Sequence, residues 1–481
     1  MTATIKQKTV SGFKWVAFSR YAQKGVSVVT FIILARLLEP RIFGLFAMAF
    51  ILIDGLGLFK NLGVDAALVQ RNKDIEKAAH TAFWMMPFMG LFIFVILYVL
   101  APFAAVALKE ESLTPIIRVL GIIFVLGAME NIPVALLTKE LHFKDLAVRE
   151  LVSAVLFSVS ALLFAVLQLG IWSLVYAYLL KRISMFYFSW SLSKYRPQFV
   201  FDKQIAKDLL HFGKFIFGAS AVGFLIANTD NFLVGRIMGA TTLGYYALAY
   251  NISTLTTQHL SGLVNQVMFP AYSKIQDTRL ESKRFTLKIM SGLAMFSFPF
   301  GVSLILFAEE MVRIVYGARW LPLVPPLKAL ALCSMLLPLS SLAGATFSAG
   351  GKPKWIFYMD LFIIGGMIIL IPFWGSLLGL LGVGLAVTFS KISVLPVVLR
   401  LLDRSIGLKS AEIFHELKPI LIASFFMAVS GYILQMLMAN LMGGYSVFLY
   451  GTLSAIIYIA SLYWLDKPLI HRILDKVFNR S

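Results

Sequence analysis

Asp54 stands in the middle of the apolar run from Phe43 to Gly63, Lys181 and Arg182 in the run from Ile171 to Leu192, and Asp230 in the run from Leu209 to Ile237. Such groups bind ions, exchange protons or hold charged ligands. A charge at bilayer depth costs about 2.5–3.5 kcal/mol on insertion scales, so it is kept where it meets water, a partner or a cargo. Arg20, Lys24, Lys60, Arg118, Glu130, Asp360 and Lys391 are set in apolar surroundings in the same way.

The elements that must position these charges follow from hydropathy. Of 481 residues 59% are hydrophobic and the mean hydropathy is +0.84, far above soluble domains, which use about 45–50% apolar residues. A spanning helix needs about 20 mostly apolar residues. About fourteen such runs can be cut: Phe13 to Leu38, Phe43 to Gly63, Ala79 to Leu108, Leu113 to Thr138, Leu146 to Leu169, Ile171 to Leu192, Leu209 to Ile237, Leu243 to Pro270, Phe285 to Ala308, Leu321 to Gly350, Lys354 to Leu377, Leu380 to Leu401, Pro419 to Asn440 and Tyr445 to Leu465. The expected class is an all-α polytopic membrane protein. A β-barrel would alternate polar and apolar residues instead.

Lys and Arg accumulate in cytoplasmic loops. With the N-terminus inside, inner segments hold about 28 of them, among them Lys73, Lys144, Arg149, Lys203, Lys283, Arg404 and Lys476. Outer segments hold only Arg41, Lys109, Arg236, Arg313 and Arg319. Both termini are therefore expected in the cytoplasm. The formal charge of +19 then serves topology and contact with anionic membrane lipids rather than nucleic acid. The first run is too long for a cleavable signal peptide and lacks a small-residue cleavage site.

A shift of 200 residues lays Arg36, Gly44, Ala47 and Ala49 over Arg236, Gly244, Ala247 and Ala249, and Lys14 over Lys214. Six spans separate the copies, so both enter the membrane in the same direction. The expected architecture is two six-helix lobes related by a pseudo-two-fold axis along the membrane normal, with cargo between them, plus two C-terminal helices. The boundaries are 1–200 for the first lobe, 201–404 for the second and 405–481 for the final pair and basic tail.

At 1.5 Å per residue, Arg20 and Lys24 lie about 10 and 16 Å into the first span, on one helical face. Lys181 and Arg182 lie about 15 Å from the outer end of the sixth; adjacent residues point about 100° apart, so which faces a cavity is open. Lys60 sits near the inner end of the second span and Arg118 near the outer end of the fourth. Arg20, Lys24, Lys60, Arg118, Lys181 and Arg182 are the candidate substrate-binding residues. Only Asp54 and Glu130 offset them, and a cavity of that sign attracts an anion such as a pyrophosphate or an acidic sugar. Arg20 is also close enough to the surface to snorkel as a lipid anchor.

The second lobe carries Asn228, Thr229, Asp230 and Asn231 in its first span and Asn251, Gln258, His259, Asn265 and Gln266 in its second. A carboxylate among amides can take up a proton or hold Na+, or can simply tie helices together. Asp230 leads the ion-coupling candidates, followed by Asp54, Glu130 and Asp360. No cofactor is expected beyond H+ or Na+.

The segments Ser11-Gly-Phe-Lys-Trp15, Leu34-Ala-Arg-Leu-Leu-Glu-Pro-Arg-Ile-Phe-Gly44, Asn61-Leu-Gly-Val-Asp-Ala-Ala-Leu-Val-Gln-Arg71, Phe212-Gly-Lys214, Tyr246-Ala-Leu-Ala-Tyr-Asn251 and Phe269-Pro-Ala-Tyr-Ser-Lys-Ile-Gln276 resemble the polysaccharide transporter family of oligosaccharide flippases, colanic-acid-type exporters included. The resemblance covers at least the first twelve spans. It implies the V-shaped, two-lobed fold of the multidrug/oligosaccharidyl-lipid/polysaccharide exporter superfamily. It also implies an undecaprenyl-pyrophosphate-linked repeat unit as cargo, a bacterial inner membrane location, and a polymerase and glycosyltransferases of the same pathway as potential partners. A basic cavity in relatives supports Arg20, Lys24, Lys181 and Arg182 as a class, and Trp15, Tyr21 and Tyr187 are aromatics placed to stack on sugars.

Competing functions are a drug or metabolite antiporter of the same fold, whose cavity would more often be acidic, and a membrane glycan polymerase, which would usually need a large extramembrane loop or an acidic metal site. Enzyme motifs are absent. Gly350-Gly-Lys352 lacks the upstream glycine and downstream hydroxyl of a phosphate loop. His80, His142, His211, His259, His415 and His471 show no metal-ligand spacing. Cys333 is the single cysteine, so an internal disulfide is impossible.

Overall fold

An apolar run in lipid has no water to satisfy its backbone, so it closes its hydrogen bonds internally as a helix. The computed structural model of the chain describes residues 2–61, 63–71, 73–275, 278–349, 353–438 and 446–467, with side chains described except at 2–14, 61, 210, 212–217, 219, 256–275, 338–343, 345–346, 348–349 and 353. The side chains of Gln258, His259, Asn265 and Gln266 thus lie outside the described residues. Among those described there are helices and no strands.

The helices are α1 (Thr2–Leu37), α2 (Pro40–Asn61), the short α3 (Val64–Gln70), α4 (Ile75–Leu108), α5 (Leu113–Lys139), α6 (Phe143–Val166), α7 (Ile171–Leu192), α8 (Lys203–Ile275), α9 (Arg279–Val315), α10 (Val324–Ala349), α11 (Pro353–Ile392), α12 (Leu395–Ile406), α13 (Ser410–Met438) and α14 (Ser446–Leu465). α8 breaks at Gly239 (φ 83°, ψ 173°), and α11 breaks at Gly379 (φ 59°, ψ −137°). With these two breaks the described part of every apolar run is helical apart from a few end residues, although Leu380 to Leu401 is shared between the second half of α11 and α12, and the run from Leu321 begins in a 3-10 turn ahead of α10. Nine helical stretches among the described residues are long and apolar enough to cross a membrane.

The chain forms two compact units, Met1–Gly244 and Tyr245–Ser481, so residue 200 lies inside the first. In the first unit α1 packs on α6, α6 on α7, α7 on α5 and α5 on α4, while α2 lies against α4, α5 and α7. A polar connection from Ser193 to Asp202 folds back onto the start of α4. There Gln198 N–H donates to His80 Nδ1 (3.1 Å), Trp84 Nε1–H to Gln198 O (2.9 Å) and Asp202 N–H to Thr81 Oγ1 (3.1 Å). The Trp84 and Phe199 rings stack with centroids 4.5 Å apart.

In the second unit α9 packs against α10, α13 and α14, and α10 against α11. Its core gathers Met290, Ala294, Leu402, Ile420, Met427 and Leu462. The last two helices are therefore built into this core: Tyr458 O–H donates to Met295 O (2.8 Å) and Lys283 pairs with Glu412 (2.5 Å).

Candidate functional site

The charges of the first unit converge where α2, α5, α6 and α7 meet. Glu130, on α5, is 4% exposed and Arg149, on α6, likewise 4%. One oxygen of Glu130 takes Arg149 Nη2 at 3.0 Å; the other takes Arg182 Nη2 from α7 at 3.0 Å. Arg149 Nε–H also donates to Met185 O (3.2 Å). Glu130 thereby orients both guanidinium groups, and Arg182 Nε has no partner among the described residues.

Lys60 reaches the same place from the end of α2. One turn before Glu130, Gly127 leaves room for it: a Cβ there would strike Lys60 Nζ and Arg182 Nη2. Lys60 is within electrostatic reach of Arg182, Glu130, Asp65 and Arg149. Three cations against Glu130 and the more distant Asp65 leave net positive charge. Guanidinium and ammonium donors in that arrangement suit a phosphate, a pyrophosphate or a carboxylate.

Lys181 turns the other way. Its Nζ stands 5.9 Å from the ring centroids of Phe157 and Tyr178, within electrostatic reach of Glu150. Glu150 in turn faces Gln23 of α1 (3.4 Å). The Tyr178 ring meets Phe50 edge to face (4.8 Å), with Phe46 behind it (4.5 Å), so an aromatic wall adjoins the charged cluster. Asp54, one turn from Phe50, is exposed and within electrostatic reach of Tyr178.

Other candidates lie elsewhere. Lys24 is half-buried and Arg20 exposed; neither makes an ion pair among the described residues. Arg118 sits twelve residues from Glu130 along α5, about 18 Å, stacked over Tyr98 (4.3 Å). Trp15, Tyr21 and Tyr187 are exposed, with Lys144 over the Trp15 ring (5.4 Å). Asp230 is 1% exposed and accepts the Asn231 N–H (2.8 Å); Asn231 Oδ1 has no partner among the described residues. The side chains of Asn228 and Thr229 bond back to carbonyls of their own helix. Asp360 is half-buried on α11.

Sequence reasoning missed Arg149. Its place next to the basic inner segment reads as a loop cation, whereas it lies inside α6 and pairs with Glu130. The usable signal was Glu130 itself, since a carboxylate in a span needs a cation on a neighbouring one.

Polysaccharide biosynthesis proteins match the chain as a family over residues 33–325. The chain is 31% identical over 360 residues to the teichuronic acid biosynthesis protein TuaB of Bacillus subtilis (strain 168), covering 74% of each. It is 27% identical over 349 residues to the succinoglycan biosynthesis transport protein ExoT of Rhizobium meliloti (strain 1021), covering 70% of each. Among solved structures it is similar to the lipid II flippase MurJ in an inward closed conformation, with a TM-score of 0.78 and 16% identity over 95% of this chain and 99% of that one. That likeness establishes the fold.

Proposed function

The chain belongs to the polysaccharide biosynthesis protein family, and from that premise we propose that it carries lipid-linked oligosaccharide repeat units across the bacterial inner membrane, holding their pyrophosphate at Lys60 and Arg182. The observation that carries this reading is the convergence of Lys60, Arg149 and Arg182 on Glu130 and Gly127. ExoT, a relative named for transport, supports movement of a glycan rather than its synthesis.

A lipid-linked glycan cannot cross unaided, because each hydroxyl stripped of water in hydrocarbon costs about 4–8 kcal/mol. A wetted chamber removes most of that barrier while the polyprenyl chain stays in lipid. Arg182, fixed by Glu130, and the more mobile Lys60 supply donors to phosphate oxygens. The neighbouring Phe46, Phe50 and Tyr178 offer apolar faces to sugar rings. Uptake of H+ or Na+ at Asp230 would bias inward against outward states, provided the two bind the ion differently.

Deleting the gene and measuring lipid-linked glycan tests the reading. Unflipped intermediate should accumulate on the cytoplasmic leaflet, and Arg182→Gln or Lys60→Gln, expressed at normal levels, should restore less than about a tenth of export. Full restoration by both variants would remove the pyrophosphate assignment. Loss of drug resistance with normal glycan export would favour an antiporter.

A further inference from the structure

The connection after α7 carries two aromatic rings that the first unit leaves largely uncovered: Phe199 is 91% exposed and Phe201 56%. Phe199 meets the protein through Trp84 of α4, their centroids 4.5 Å apart and their planes 18° from parallel. Trp rings of membrane proteins collect at the level of the lipid headgroups. The stack therefore marks that level, and Phe201 follows two residues later.

α8 begins two residues further on, at Lys203. Its apolar face, with Ile205 and Leu209, is buried in one cluster with Val64, Leu68 and Phe83, which seats the start of α8 on α3 and α4. Away from that face runs a stripe at i, i+4 and i+8, where Lys203, Lys207 and His211 are all exposed. With Phe201 and Ala206 they line an open groove of about 470 Å³. The two nearby carboxylates are engaged elsewhere. Asp202 Oδ1 caps the helix, accepting the N–H of Gln204 (2.8 Å) and of Ile205 (3.1 Å). Asp208 accepts Gln204 Nε2–H (3.0 Å) and pairs with Arg71 (3.7 Å). Lys203 and Lys207 thus keep their charge beside an exposed aromatic ring.

From this we propose that the groove binds one anionic phospholipid, its phosphate between the Lys203 and Lys207 ammonium groups and its acyl chains along Phe201 and Phe199. Ammonium groups only donate, and the anionic oxygens of a phosphate diester only accept. Basic residues gathered at the start of a span, within reach of lipid, suit an anionic headgroup. A water-soluble phosphate would satisfy the lysines and leave the rings uncovered, so a lipid fits both halves of the groove. The groove shares no residue with the Glu130 cluster, and the proposal stands apart from the reading of the passenger.

The test uses the full-length protein purified in detergent and titrated with dioleoyl phosphatidylglycerol or dioleoyl phosphatidylcholine, bound lipid being counted by native mass spectrometry. The parent should bind the phosphatidylglycerol about tenfold more tightly. Lys203→Gln/Lys207→Gln should lose that preference, and Lys203→Arg/Lys207→Arg should keep it to within about threefold. Arg400→Gln/Arg404→Gln removes two exposed cations from α12 and should leave it intact. Equal affinity of the parent for the two lipids overturns the proposal, as does a retained preference in Lys203→Gln/Lys207→Gln. The same loss in the α12 pair also overturns it, since the charge of the whole surface would then be the cause. Displacement of the phosphatidylglycerol by equimolar farnesyl pyrophosphate would assign the groove to the passenger, and displacement by equimolar inorganic phosphate to a free ion; either overturns the phospholipid assignment.

Discussion

Gly44 and Gly244 meet backbone to backbone in a reciprocal contact: a Cβ on Gly44 would run into the carbonyl of Ala240, and a Cβ on Gly244 into the carbonyl of Pro40. Pro40 and Ala240 are themselves 200 residues apart, so the contact repeats the internal shift of the sequence in space. Glycine is required at both positions because the start of α2 and the Ala240–Gly244 stretch of α8 approach more closely than any side chain allows.

Alanine at Gly44 or Gly244 should therefore cost about 3 kcal/mol or more, since the obstructing atoms are backbone and cannot swing aside. Thermal melts of the purified variants in detergent would show it. Gly25→Ala is the control, because no atom lies within 4 Å of a Cβ there, and its melting temperature should match the parent's.

The triad on Glu130 makes an asymmetric prediction. Glu130→Ala strands two guanidinium groups, one of them on the 4% exposed Arg149, and should destabilise the fold by about 3–5 kcal/mol. Arg149→Met leaves Glu130 still paired with Arg182 and fills the vacated space, so its loss should be smaller. Denaturant titrations of both variants in the same detergent decide the order; equal losses would mean that Arg182 does not compensate.

Arg118 offers a contrast within the set of cations. Stacked over Tyr98 about 18 Å along α5 from Glu130, it should tolerate Arg118→Gln with export above about half of the parent, while Arg182→Gln falls below about a tenth. Radiolabelled glycan reaching the outer leaflet is the measurement. Comparable losses would extend the anion site toward the outer end of α5.

Much of the fold was legible because it is dictated by lipid: the apolar runs fold as helix, and the Arg36/Arg236 and Gly44/Gly244 matches expose the repeat directly. The Arg182–Glu130 pairing was half legible. Both charges stand out in apolar runs, yet the choice between Lys181 and Arg182 turns on helix rotation, which packing against α5 sets. Arg149 was hidden by its nearness to the basic loop before α6. Lys60 reaches the cluster only because Gly127 has no side chain, a relation between two helices that neither shows alone.

The connection after α7 gives the last test. Its anchor is His80, whose Nδ1 accepts the Gln198 N–H at 3.1 Å and lies 3.1 Å from the Tyr195 hydroxyl. Burial pushes the Tyr195 phenol far above its usual range, so it remains a donor, to Ala79 O, across the working pH of the protein. Asparagine can place an oxygen close to where His80 carries Nδ1, whereas leucine offers no acceptor and removes the part-buried hydrogen bond from the Gln198 N–H, at a cost of about 0.5–1.5 kcal/mol. Limited trypsin digestion reads the outcome, because Lys194 lies inside the anchored stretch and is followed by Tyr195, a cleavable bond. His80→Leu should be cut there at least about fivefold faster than the parent and His80→Asn at nearly the parental rate, whereas equal cutting of all three would show that the Trp84–Phe199 stack alone holds the segment down.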